Sequence, residues 1–92
     1  MKIMYLLFSF TVGGTERLVA NICNQMENQN EEVHLYIIND LIDDNLLDTL
    51  NENIHVKLLR RKVGSKDKIS PLFEVAKYIK KNKIEVVHCN SF

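Results

Sequence analysis

The stretch LLFSFTVGGTERLVANICNQM, residues 6–26, decides the fold. It opens as an unbroken apolar run, turns at Gly13-Gly14, and resumes with Leu18, Val19, Ile22, Cys23 and Met26 on one helical face. Glu16, Asn21, Gln25 and Asn28 fall on the opposite face. A strand feeding an amphipathic helix of about four turns through so short a connection is the start of a βα unit. An ordinary turn needs a single glycine, so the pair has a further reason. Without Cβ atoms the backbone can come within hydrogen-bonding distance of an anion. The helix N-terminus behind it presents unpaired N–H groups and the positive end of the peptide dipole. A phosphate suits such a turn; a tight turn with no ligand is the plainer alternative.

Working outward, residues 2–9 are apolar at nearly every position, the pattern of a central parallel strand covered on both faces. Residues 31–38 (EEVHLYII) read as a second strand, and the acidic segment NDLIDDNLLDTL carries Leu46, Leu47 and Leu50 in a short helix. Residues 54–59 (IHVKLL) alternate apolar and polar, which predicts a half-exposed strand near an edge. After the charged loop RRKVGSKDK, Ser70-Pro71 opens a helix with an N-cap residue and a proline at the first helical position. Leu72, Phe73, Ala76 and Ile79 are its expected buried face, and Lys77, Lys80, Lys81 and Lys83 gather where cations oppose the negative end of the dipole. Residues 84–89 form the last strand.

Strands and helices alternate, with connections too long for hairpins, which specifies a parallel sheet with right-handed crossovers. The expected fold is α/β: a Rossmann-like, three-layer α/β/α arrangement, β-α-β-α-β-α-β, with strand order 3-2-1-4. Ligands of such sheets bind beyond the carboxyl ends of the strands where the order reverses, here between strands 1 and 4. The sequence ends directly after a strand, so residues 1–92 are expected to be one partial domain with no second domain beside it, inactive in group transfer on its own. The strand at 84–89 would then lie at an open edge and favour self-association.

Composition narrows the function. The chain has 46% hydrophobic and 26% charged residues, as ordinary globular chains do. Twelve basic residues cancel twelve acidic ones, so no overall field gathers nucleic acid or an anionic membrane. Cys23 and Cys89 both fall in apolar patterns and are expected as buried free thiols, which suits a reducing, cytoplasmic setting. No apolar stretch approaches the roughly 20 residues that span a bilayer.

Paired carboxylates, zinc-spaced ligands and a nucleophile elbow are all missing from the sequence, so no catalytic set and no metal site is expected. His34 and His55 sit within strands and read as surface or structural residues. His88, at the end of the last strand, stands nearer the crevice. A dinucleotide fingerprint would spread its glycines over six positions, unlike this adjacent pair, and Asp40 reads as a solvated loop acid. Arg60, Arg61, Lys62, Lys66 and Lys68 read as a solvated loop, with contact to a lipid-linked acceptor or to the membrane surface as the alternative. Met4, Phe8, Met26 and Phe73 are expected in the core.

Two segments carry a resemblance. GGTERLVANICNQM, after a short N-terminal strand, resembles the Gly-Gly-x-Glu-Arg segment that opens glycosyltransferase family 4 enzymes. KIEVVHCNSF is similar to the Asp-Val-Val-His-x-x-Ser strand of the same N-terminal domain. The resemblance implies the N-terminal, acceptor-side part of a GT-B fold, in which two Rossmann-like domains face each other across a cleft. The implied reaction is retaining transfer of a sugar from a nucleotide-sugar donor to a glycan or lipid-linked acceptor, with no cofactor beyond the donor. By the same resemblance Gly13 and Gly14 offer amides to donor phosphates or the reacting sugar, and Thr15, Glu16 and Arg17 begin the helix bordering the acceptor. His88 and Asn90 complete the site, Asn90 standing where many members carry histidine. The expected role is bacterial surface polysaccharide synthesis at the inner face of the membrane. A stand-alone module that binds a nucleotide or phosphate without chemistry is the alternative.

Overall fold

Parallel neighbours need a crossover between them, and the chain supplies a helix for each. The computed structural model describes residues 1–62, 66 and 69–90, with the backbone alone at Asn90. The elements are β1 (Lys2–Leu7), α1 (Gly14–Asn28), β2 (Glu32–Asn39), α2 (Asp44–Leu47), β3 (His55–Arg61), α3 (Ser70–Asn82) and β4 (Val86–Asn90). Every strand pairing is parallel, in the order β3-β2-β1-β4. The fold is thus the predicted Rossmann-like α/β arrangement, with β1 and β2 central and β3 and β4 on the flanks.

The two central strands are apolar on both faces because both faces are covered. Ile3, Tyr5, Leu7, Val33, Leu35 and Ile37 pack with Val19, Ala20 and Cys23 of α1 and Leu46 of α2. Met4, Tyr36 and Ile38 face the other way, onto Val75 of α3, with Tyr78 and Ile79 packed alongside. A side chain such as Leu35, fully removed from water, contributes about 1.5–3 kcal/mol relative to exposure. β3 is half exposed as its alternation predicts, with Val56 40% accessible.

Several expected core positions are not core. Leu72 and Phe73 are each 70% exposed and Ala76 is exposed; α3 instead buries Pro71 and Val75 and half-buries Tyr78 and Ile79. The spacing 71, 75, 78, 79 is one helical face, and Leu72 and Phe73 lie about 100–200° around the axis from Pro71. On α1, Leu18 is exposed beside the buried Val19. Phe8 lies past the end of β1, outside either packed layer, and is 41% exposed. Cys23 is buried as expected, but Cys89 is exposed, because β4 pairs with β1 on one side only among the described strands. α3 begins at Ser70 itself, so the N-cap position falls to Ile69 and Pro71 stays in the first turn.

Candidate functional site

The turn after β1 is held in place by strand pairing that continues beyond the strands. Asn39 N donates to Phe8 O at 2.8 Å, Phe10 N to Leu41 O at 3.0 Å, and Asp43 N to Phe10 O at 2.7 Å. Phe10 is fully buried and fixes the loop from below. The chain then rises through Thr11 and Val12 to Gly13, whose N–H donates to Thr11 O at 2.7 Å. Gly13 is the N-cap of α1, and Arg17 N donates to Gly13 O at 3.2 Å as the first helical bond. Positions 14–16 therefore have no carbonyl one turn back within the helix.

Gly13 has φ −100° and ψ 164°, extended backbone that any residue adopts. What the missing side chain provides is room. A Cβ at Gly13 would stand 3.2 Å from Glu16 Oε2 and 3.4 Å from Oε1. Glu16 Oε2 also accepts a hydrogen bond from Thr11 Oγ1 at 2.9 Å. Glu16 occupies the third helical position, where a carboxylate opposes the positive dipole end. The turn thus carries the chain's own carboxylate beside Gly13.

The other predicted site residues surround this turn unevenly. Thr15 and Arg17 are exposed. Arg17 joins Val12, Asn21, Asn45, Leu46 and Thr49 around a groove of about 390 Å³ between α1 and the α2 segment. His88 is exposed and stacks on Tyr5, its partner in the β1–β4 register, with ring centroids 4.8 Å apart and planes 17° from parallel. Asn90 ends β4 opposite Leu7; its side chain lies outside the described residues. Burial raises the Tyr5 hydroxyl above the ordinary phenol range, and nearby Cys23 adds to the rise.

Thr11, Asn45 and Thr49 were not picked out from sequence. Asn45 and Thr49 reach the groove only because α2 packs beside α1, and Thr11 earns its place through its bond to Glu16. Arg60 and Arg61 belong to β3, and Arg61 Nε donates to Asn39 Oδ1 at 2.9 Å, so part of the expected basic loop is strand. Lys66 is exposed and Lys68 lies outside the described residues. On the opposite rim of the sheet, Glu32, His34 and His55 bring potential ligand atoms within 4.8 Å of one another. No helix among the described residues is long and apolar enough to cross a membrane.

Comparison with known proteins gives one match. The model of the family described as "Glycosyl transferase 4-like" matches residues 2–91. No curated protein matches the chain, and no solved structure does.

Proposed function

The chain belongs to the glycosyl transferase 4-like family, and from that premise we propose that it forms the first part of the acceptor-side domain of a two-domain enzyme. The reaction we infer moves a sugar, with retention at the anomeric carbon, from a nucleotide-sugar donor to a glycan or lipid-linked acceptor. Its setting is bacterial surface polysaccharide synthesis on the cytoplasmic face of the membrane, which the protein meets peripherally. The observation that carries this reading is the family match, which contains both the glycine turn and the last strand.

The chemistry at the turn follows from charge. When the glycosidic bond to the donor breaks, the departing diphosphate gains negative charge, and amides fixed in advance toward it lower that barrier. The amides at positions 14–16 are such donors. Glu16 stands in the way of a phosphate while its carboxylate lies over Gly13. It either swings aside, freeing the Thr11 hydroxyl to donate, or keeps its place and accepts from a sugar hydroxyl. The groove lined by Arg17, Asn21, Asn45 and Thr49 offers amide, hydroxyl and guanidinium groups to acceptor hydroxyls. On β4, Asn90 ends the strand beside Leu7, and His88 presents the exposed part of its ring two residues earlier. No resident cofactor or metal takes part at this crevice.

The test is a transfer assay on the protein expressed from its gene, with a panel of nucleotide sugars and membrane-derived acceptors and with the product anomer read by NMR. Transfer with retained configuration is the expected result. An inverted anomer would remove the retaining mechanism, and nucleotide binding without transfer from any donor would replace the enzyme with a binding module.

A further inference from the structure

We propose that Glu32, His34 and His55 form a binding site for a divalent transition cation of the zinc class, at the rim of the sheet opposite the glycine turn. Glu32 and His34 lie two residues apart on β2, and so share one face of that strand. His55 begins β3 and is the register partner of His34. Parallel pairing thus brings together three side chains that are separated along the chain, with ligand atoms all within 4.8 Å.

The three ligands differ in freedom, and that difference makes the site workable. His34 is 3% exposed and held at both ring nitrogens, with Nδ1 2.6 Å from Tyr78 Oη and Nε2 2.7 Å from Glu32 Oε2. Tyr78 reaches across from α3 and sets the ring edge-on, 78° from its own plane. A ligating histidine characteristically has its second nitrogen held in this way, which fixes the tautomer and the direction of the lone pair. Glu32 and His55 lie at the surface, open to an arriving ion.

With ligand bonds of about 2.0–2.2 Å, two ligand atoms on one tetrahedral ion lie roughly 3.3–3.6 Å apart. The Glu32–His34 contact therefore opens by a fraction of an ångström to admit the ion. His55 stacks on His34 at a centroid distance of 4.6 Å, and its ring turns out of the stack to aim a nitrogen at the same point. With Nε2 ligating the ion, Nδ1 is the nitrogen that carries the ring proton and donates it to Tyr78 Oη. Two imidazoles and one carboxylate suit zinc and its neighbours rather than magnesium or calcium, which favour all-oxygen shells. Three protein ligands leave a fourth position for water. The ion would clamp β3, an edge strand, to the buried β2.

Cobalt(II) absorption and zinc-dependent thermal melts test the site on the whole chain, in a Cys89→Ser background because that thiol is exposed and is itself a soft ligand. The expected result is one tetrahedral cobalt(II) spectrum per chain, displaced by zinc, and a melting temperature raised by zinc. His55→Ala and Glu32→Gln, both at surface positions, should each weaken binding at least tenfold and remove the zinc-dependent rise. Absence of a tetrahedral spectrum overturns the proposal, as does a spectrum and a zinc-dependent rise that survive the double variant.

Discussion

Glu16 folds back over Gly13: its Oε2 lies 3.2 Å from the point where a Cβ on Gly13 would stand, while accepting from Thr11 Oγ1 at 2.9 Å. A carboxylate in the first turn is favoured there by the positive end of the helix dipole. Glycine keeps the place open, and its backbone angles make no demand of their own.

The first prediction separates these roles. Gly13→Val should change stability by no more than about 0.5 kcal/mol, because its extended backbone accepts a β-branched residue and only the end of the Glu16 side chain must give. In the full-length enzyme turnover should fall roughly a hundredfold, the usual loss when a fixed transition-state donor is blocked. Thermal melts and transfer rates on the same preparations check it. A melting temperature that collapses together with activity would assign the glycine to the turn alone.

Cys23 and Cys89 should differ sharply toward a thiol reagent. Burial pushes the Cys23 thiol up to about 12 from an ordinary value near 9, whereas Cys89 is exposed. One thiol per native chain should react at neutral pH, and the second only on unfolding. The same burial gives a pH dependence. A folded value above the unfolded one means that Cys23 contributes its full stability below about pH 9, and that this is lost as pH rises toward 12. Melting temperatures across that window should fall, and two native thiols reacting at equal rates would contradict the buried placement.

The order of elements was legible because its signals are local. An apolar run bounded by a glycine turn, alternation at residues 54–59 and a proline-opened helix each name an element without help from the rest. The facing of α3 was not legible. Pro71, Leu72, Phe73, Val75, Ala76, Tyr78 and Ile79 spread apolar character over most of the helix circumference. Periodicity then permits more than one buried arc, and only docking on Met4, Tyr36 and Ile38 selects one. The site divides in the same way. The glycine turn and its helix N-terminus could be read directly, but the bond from Thr11 to Glu16 depends on how the loop rises over Phe10. His34 and His55 meet only through strand register.

Lys83 closes α3 in the left-handed region, at φ 55° and ψ 46°, while Ile84 N donates to Ile79 O at 3.1 Å. A side chain there costs about 1–2 kcal/mol that glycine avoids. Part of this gain is lost to the greater freedom of glycine in the unfolded chain. Lys83→Gly should therefore stabilise by about 0.5 kcal/mol, a rise of roughly 2–4 °C in a domain this small. Lys83→Ala, which keeps the Cβ, should not. Equal melting temperatures for the two variants would show that the gain does not come from the backbone angle.

The last prediction concerns the edge of the sheet. β4 pairs with β1 through Ile3–Val86 to Leu7–Asn90, and no described strand covers its other side. Its outward N–H and C=O groups form a template for another strand. Val87, 41% exposed, adds apolar surface beside them. The chain should therefore self-associate at high micromolar concentration by pairing β4 with β4 of a second copy, and Val87→Lys should restore the monomer by placing charge at the edge. A competing surface exists on α3, where Leu72 and Phe73 are each 70% exposed. Phe73→Glu distinguishes the two, because it would leave a strand-paired dimer intact. Light scattering on the wild type and both variants decides the matter. Strand pairing fails if the wild type is a clean monomer, or if Phe73→Glu dissociates the assembly and Val87→Lys does not.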